Sequence, residues 1–413
     1  MRVLIVVDPV RKDFFEYLVD DSPDYFEWSL IWDYKYQGTT PSSNRLFTKK
    51  HKEIKLYYWS DFTTARAILL KTAPKKIVFL EILDLWQIPL IVASKKKGIT
   101  TFFLEHGVGN SVEIVLNRFG EDMNWKTKLK FYGLKLLHSS RRALKNRVYY
   151  YSQLFDVRSL HSTWKYFILP MRIKLHTPVE ALSKLKFEER TPAFALLFNK
   201  NNIAPFLIYN TIKEDRIITE GVPLFDKYYN SQIVTENYYF VIEHPYLEEQ
   251  ILNWTDEFHE KIARSIELFA KQNNIRVYIK LHPRSRMQNW LRYSLDESYI
   301  TILQSEDPTQ LMLKAKLILG YSSSLINAMI CCKKNVVLLG WHPEPLIFGD
   351  DFSQTGLCHK SMDVKDLFVK RELWESNNLC FTNKPSLNAF FEEYNYPFDG
   401  KATKRILDSI TTL

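Results

Sequence analysis

Glycine is scarce in this chain, with 12 among 413 residues. That weighs against glycine-rich nucleotide loops and against all-β architectures built on many tight turns. Cysteine is scarcer still. The four thiols, Cys331, Cys332, Cys358 and Cys380, match no zinc spacing, and adjacent Cys331-Cys332 is not a CxxC pair. They read as reduced, mostly buried thiols of a cytoplasmic protein. No apolar run reaches the length of about eighteen residues that a spanning helix needs. The best candidate, Val78–Ala93, is interrupted by Glu81 and Asp84. The opening stretch MRVLIVVDPVRKDFF carries a short apolar run, Val3–Val7, with no cleavage-site pattern. It reads as a buried parallel strand rather than a secretory signal. No Asp-x-Asp occurs, in agreement with chemistry that does not use a metal.

Acid is missing from one long stretch. From Met123 to Phe155 there is no Asp or Glu, while Lys128, Lys130, Arg141, Arg142 and Lys145 are among the cations there, with Trp125, Phe131 and Tyr149–Tyr151 between them. Much of the chain's net charge of +9 is concentrated here. Such a segment suits a polyanion or an anionic membrane surface; a solvated helix face would look the same. No nucleic-acid-binding module accompanies it, so a nucleic-acid partner is not expected.

What is present is apolar residue in quantity, 46% of the chain, enough for packed cores and a chain of about two domains. Short apolar runs alternate with amphipathic ones. Val3–Val7, Ile54–Trp59, Lys76–Leu80, Thr100–Leu104 and Arg147–Tyr151 read as strands, with helices over Phe62–Lys71 and Leu83–Lys97. Lys174–Asn202 reads as irregular, and Arg216–Thr219 as a last strand. A second series begins near Tyr238: one long helix over Glu248–Asn273, a strand over Arg276–Leu281, a helix over Pro308–Lys316, a strand over Leu317–Leu319, a helix over Ser323–Cys332 and a strand over Asn335–Leu339. Strand–helix alternation predicts α/β, two Rossmann-like doubly wound domains facing across a cleft. The expected boundaries are 1–232, 233–385 and a helical tail over 386–413.

Three stretches fall where strands end, the edge at which open α/β sheets bind ligands. In LILGYSSSLINAM a buried strand ends at Gly320, and Ser322, Ser323 and Ser324 gather at a helix start, whose free N–H groups and positive dipole end suit a phosphate. The same serines would also serve as an ordinary cap. In YIKLHPRSR, His282 can donate to a phosphate oxygen, Pro283 turns the chain off the sheet edge, and Arg284 adds anion affinity. His-Pro recurs at His244 and His342, so the pair alone is a weak signal. In FFLEHGVGNS, Glu105 and His106 stand at a strand end as natural general bases; a polar turn at Gly107 is the other reading.

In this order and at this spacing the three stretches resemble the bacterial sialyltransferases of the GT-B type, the lipooligosaccharide sialyltransferase and capsular polysialyltransferase group. That group carries an acidic pair followed by glycine, then His-Pro, then a serine-rich motif. The resemblance covers Thr100–Ser111 and Tyr238–Trp341. It implies that Glu105 is the catalytic base, that His282 contacts the CMP phosphate and helps it leave, and that Ser322 and Ser323, with Ser324, bind that phosphate. Gln310 stands where the group often has a ribose-binding glutamate, and can hydrogen-bond hydroxyls without charge assistance. His106 replaces the second acid. A His-Gly at this strand end also occurs in CDP-glycerol phosphotransferases, where the histidine is the base, so Glu105 and His106 both stay open.

The resemblance therefore implies an inverting, metal-independent glycosyltransferase. It would move sialic acid from CMP-sialic acid to a hydroxyl of a lipooligosaccharide or capsular polysialic acid, with no cofactor and no divalent metal. Its partners would be the nucleotide-sugar donor and an anionic glycan or glycolipid acceptor held by the basic segment. Its place would be the cytoplasm, at the inner face of the cytoplasmic membrane. A CDP-glycerol-type or other capsule-polymer transferase would use the same His-Pro and serine motifs. A sugar-nucleotide 2-epimerase would need a glycine-rich phosphate turn where serines stand, and a glycan-binding relative without activity would tolerate loss of His282.

Overall fold

The computed structural model describes residues 1–7, 14–32, 45–106, 147–157, 160–175, 178–229, 234–249, 252–321, 323–343 and 352–413. It divides into two compact units, Met1–Pro223 with Lys401–Leu413, and Leu224–Gly400.

Among the described residues the first unit is built on eight strands: β1 (Arg2–Val6), β2 (Glu27–Trp32), β3 (Arg45–Phe47), β4 (Glu53–Tyr58), β5 (Lys76–Phe79), β6 (Thr100–Leu104), β7 (Phe194–Leu197) and β8 (Ile217–Thr219). They lie in the order β3-β4-β2-β1-β5-β6-β7-β8. Every pairing is parallel except β3 with β4. The central strands read as unbroken apolar runs because both faces are covered: Leu4, Ile5 and Val6 are fully buried, as are Ile77, Val78 and Phe79. Strand order reverses between β1 and β5, which makes their carboxyl ends the topological switch point.

Among the described residues the second unit carries six parallel strands: β9 (Glu236–Ile242), β10 (Arg276–Lys280), β11 (Ile300–Leu303), β12 (Ala315–Gly320), β13 (Val336–Leu339) and β14 (His359–Ser361). Their order, β11-β10-β9-β12-β13-β14, is the 3-2-1-4-5-6 winding of dinucleotide-binding sheets, with the switch point between β9 and β12. One face is covered by helix Asp256–Asn273, whose Ile262, Ala263, Ile266, Phe269 and Ala270 repeat at helical spacing and pack on the sheet.

Several expectations change here. The long helix expected over Glu248–Asn273 starts only at Asp256. Leu252 and Asn253 take positive φ, and Thr255 accepts a hydrogen bond from the Phe258 amide as the N-cap. Residues 147–151 are helical rather than a strand. The stretch read as irregular contains helix Pro178–Lys184 and β7. The domain boundary falls at Pro223/Leu224 rather than at 232, and the expected tail is not one piece. Helix Lys384–Tyr394 belongs to the second unit, whereas helix Ala402–Thr412 returns to the first. There Arg405 donates to the Glu220 carbonyl at 2.6 and 3.0 Å and Ser409 donates to the Glu220 carboxylate.

Helix Leu160–Leu175 contains Pro170. A proline has no N–H, so the Tyr166 carbonyl one turn earlier loses its intrahelical donor. The Tyr150 hydroxyl supplies the bond instead, at 2.9 Å, and the Tyr166 hydroxyl donates back to the Tyr150 carbonyl at 2.6 Å. The two rings stack 4.2 Å apart, so this reciprocal clasp joins the helix to residues 147–151. All four cysteines are free thiols, and three of them are buried. Among the described residues no helix is long and apolar enough to cross a membrane.

Candidate functional site

At the rim of the first sheet, β6 ends and Glu105 follows. Its backbone N–H continues the ladder by donating to the Leu196 carbonyl, and its carboxylate accepts the Phe198 N–H just beyond β7 at 2.6 Å. A strand missed in the sequence therefore fixes the carboxylate. Burial pushes the Glu105 carboxyl up to about 7, against the opposing pull of the Phe198 amide and the Asn202 side chain. A carboxylate with that affinity for a proton is well matched to general-base work near neutral pH. His106, the next residue, keeps part of its surface open. It has Phe14 at 4.7 Å between ring centroids and the Glu81 carboxylate 4.0 Å from Nε2. Glu81 follows β5, so the carboxyl ends of two neighbouring strands present two carboxylates and an imidazole.

At the rim of the second sheet, β10 leads through Leu281 into His282. The Arg284 N–H donates to His282 Nδ1 at 3.1 Å. An Nδ1 that accepts a hydrogen bond leaves the ring proton on Nε2, so the imidazole is a donor through that nitrogen. The loop is held from below by Glu243, the residue after β9. One carboxylate oxygen of Glu243 accepts the His282 N–H at 2.9 Å and the Ser285 hydroxyl at 2.6 Å. Burial raises the Glu243 carboxyl to about 7 despite these donors.

The recurrence of His-Pro, a weak signal in the sequence, has a structural meaning. His244 follows β9, His282 follows β10 and His342 follows β13, so all three lie at the carboxyl edge of one sheet. The His244 ring stacks on Tyr246 at 4.4 Å and on His282 at 5.7 Å. His342 meets the same Tyr246 edge-on at 6.0 Å, and Tyr321 at 6.2 Å. Glu243 and these two further imidazoles were not singled out from the sequence. The usable signal was the pattern of a buried strand followed by a polar residue and His-Pro, present three times.

The serine motif starts where expected. Gly320 ends β12, and a Cβ there would stand 2.5 Å from Ile326 Cδ1 and 3.2 Å from Ile242 Cβ. Glycine therefore leaves room for the Ile326 and Ile242 side chains at the strand end where helix Ser324–Cys331 begins. Ser323 is its N-cap, accepting the Leu325 N–H at 3.3 Å, so that hydroxyl does local work. Ser324 is exposed at the first turn, where the helix amides and dipole favour an anion. Pro283 and Arg284 are exposed as well, but the Arg284 guanidinium is paired with the Glu249 carboxylate at 2.6 Å. Gln310 is exposed in the first turn of helix Thr309–Lys314. Ser322 and the basic residues Lys128, Lys130, Arg141, Arg142 and Lys145 lie outside the described residues. Among the described residues no group of three His, Cys, Asp or Glu side chains is placed to hold a metal ion.

Comparison with known proteins fits this arrangement. The wall teichoic acid polymerase TagF, in a variant form, superposes with a TM-score of 0.56 at 11% identity, over 99% of this chain and 88% of TagF. The glycotransferase of kitacinnamycin gives 0.51 at 11% identity, over 99% and 97% of the two chains. UDP-GlcNAc 2-epimerase from Methanocaldococcus jannaschii gives 0.50 at 12%, over 100% and 99%. At such identities these likenesses show a shared GT-B fold. No curated protein matches the sequence. The profile of the alpha-2,8-polysialyltransferase (POLYST) family matches residues 40–338, well over half of the chain and inclusive of all three motifs. The chain thus belongs to the alpha-2,8-polysialyltransferase family and is a glycosyltransferase of GT-B fold.

Proposed function

We propose that this glycosyltransferase moves sialic acid from CMP-sialic acid to a hydroxyl of an anionic cell-surface glycan, with inversion and without a metal ion. The observation that carries the proposal is the His282 loop. Its Nδ1 is occupied by the Arg284 amide, which commits Nε2–H to donation at the carboxyl edge of a nucleotide-type sheet, one strand from the switch point. Glu105 or His106 takes the proton from the acceptor hydroxyl. The acceptor oxygen attacks the anomeric carbon, the bond from that carbon to the phosphate oxygen breaks, and CMP leaves with the electron pair. His282 and the start of helix Ser324–Cys331 stabilise the charge on the departing phosphate; loss of one such donor typically costs on the order of 10²–10³ in rate. The basic segment from Met123 to Phe155 holds the polyanionic or lipid-linked acceptor, and the enzyme works at the inner face of the cytoplasmic membrane.

The test is thermal stability with CMP, CDP, UDP or GDP, in chelator, on wild type and His282→Ala. A ligand at about a hundred times its Kd stabilises by about 2.7 kcal/mol. The expected result is stabilisation by CMP, lost in His282→Ala, with sialic acid transfer from CMP-sialic acid to an oligosialic acceptor. A preference for CDP would move the reading to a CDP-glycerol-type transferase, and no response to any nucleotide would refute it.

A further inference from the structure

Helix Leu160–Leu175 buries one side and leaves another bare. Tyr166 and Leu169 are fully buried, whereas Trp164, Phe167 and Met171 are 61%, 51% and 60% exposed. Their spacing of three and four residues puts them in one stripe along the helix. The stripe is continuous: the Trp164 and Phe167 rings stack at 6.4 Å, and Phe167 meets Tyr151 at 5.7 Å. Val148 and Phe155, on the preceding segment, are 60% and 93% exposed. Single exposed apolar residues need no explanation, but a connected set of large ones does.

The charge carried by the helix itself is of one sign. The helix, LHSTWKYFILPMRIKL, contains no acid, and Arg172 on it is an exposed cation. Between Met123 and Val179 the sequence offers Asp156 as its sole acid. The Asp156 carboxylate is already taken, bound by Arg66 at 2.7 and 2.8 Å and by Lys96. A polyanionic glycan would use the cations but has no use for Trp, Phe and Met. A second copy docking through this same acid-free helix would bring like charge to the face. An anionic lipid surface satisfies both halves: rings and thioether enter the boundary between headgroups and acyl chains, and the cations meet phosphates.

We infer that the Trp164–Phe167–Met171 face of helix Leu160–Leu175 is a membrane-docking surface for anionic phospholipid. It deepens the reading of a peripheral enzyme, on which it rests only for the choice of a bilayer as partner. The test is flotation of the full chain with phosphatidylcholine vesicles with and without phosphatidylglycerol. Wild type should bind the phosphatidylglycerol vesicles. The Trp164→Ser/Phe167→Ser/Met171→Ser variant, unchanged in charge, should bind at least about tenfold more weakly, while its thermal response to CMP stays as in wild type. In a second measurement, Met171→Cys carrying an environment-sensitive fluorophore should shift to the blue on those vesicles and not on polysialic acid. Equal flotation of wild type and triple variant would overturn the inference. So would a blue shift that follows protein concentration in the absence of lipid, which would make the face an interface between copies. Nucleotide response and flotation are separate readouts, so failure of the transferase reading would be seen apart from failure of this one.

Discussion

Replacing Glu105 by glutamine changes one proton-binding group and little shape, and the consequences can be worked out from its surroundings. Its carboxyl is raised from 4.5 to about 7, chiefly by burial. The folded protein therefore holds this proton more tightly than the unfolded chain does. That contribution to stability is fully present below about pH 4.5 and is lost as pH rises through about 7. A shift of this size is worth about 3 kcal/mol, at about 1.4 kcal/mol per unit. Glu105 keeps part of its surface accessible, and solvent screening brings the figure to about 2–3 kcal/mol. Glutamine has no such proton, so Glu105→Gln should gain stability relative to wild type by that amount between pH 4.5 and pH 8. In a unit of this size that is a change of roughly 4–12 °C in the difference between the two melting temperatures. Activity should move the other way. Wild-type transfer should rise with pH to a plateau above about 7, and the variant should lose about 10²–10⁴ in rate. A stability difference that stays constant with pH would refute the account of Glu105 as a half-buried carboxylate with raised proton affinity. A variant with wild-type activity would pass the role of base to His106.

Four further outcomes are expected. Glu243→Ala strips the acceptor from the His282 N–H and the Ser285 hydroxyl, and should cost about 1–3 kcal/mol in denaturant unfolding together with most of the CMP response. Gly320→Ala places a methyl 2.5 Å from Ile326 Cδ1; it should destabilise by about 1–3 kcal/mol, and Ile326→Val, which removes that atom, should recover part of the loss. Arg190 is fully buried, its guanidinium has no hydrogen-bond acceptor among the described residues, and burial pulls it down to about 10. Arg190→Met should raise the melting temperature, by a gain of about 1–4 kcal/mol. Binding of wild type to anionic vesicles should weaken as salt rises, since the cations beside the stripe are screened over about 10 Å at 0.1 M.

The alternation of strands and helices was legible because parallel strands buried on both faces are continuous apolar runs. Thr100–Leu104 keeps its expected bounds, and Val3–Val7 moves by a single residue. Segments governed by distant packing were not legible. Arg147-Val148-Tyr149-Tyr150-Tyr151 has strong strand propensity, yet forms a helix in which Tyr149 packs on Trp59 and Tyr150 on Tyr166. The short strand Phe194–Leu197 is only four residues long and sits after Pro192, too brief for a periodic signal, and with it went the amide that holds Glu105. At the second rim, His282 was picked out by its neighbours in sequence. Glu243 was not, because its partner Ser285 is 42 residues away and only the parallel pairing of β9 with β10 brings them together. Arg284 was read as an anion ligand from residue type alone, whereas the fold brings Glu249 to it.

The tyrosine clasp around Pro170 has a consequence for how this part of the chain is made. Helix Leu160–Leu175 cannot complete its own backbone bonding: the Tyr166 carbonyl waits for a hydroxyl that belongs to residue 150. Until residues 147–151 dock, the turn before the proline carries a backbone acceptor that burial alone would leave unmet. Helix and preceding segment should therefore gain structure together, as one cooperative unit, and show matching protection in native-state hydrogen exchange. The two could then not loosen independently. A lipid surface that steadies the stripe on the outer side would, through the same pair of hydroxyls, also steady the chain emerging from the acid-free segment.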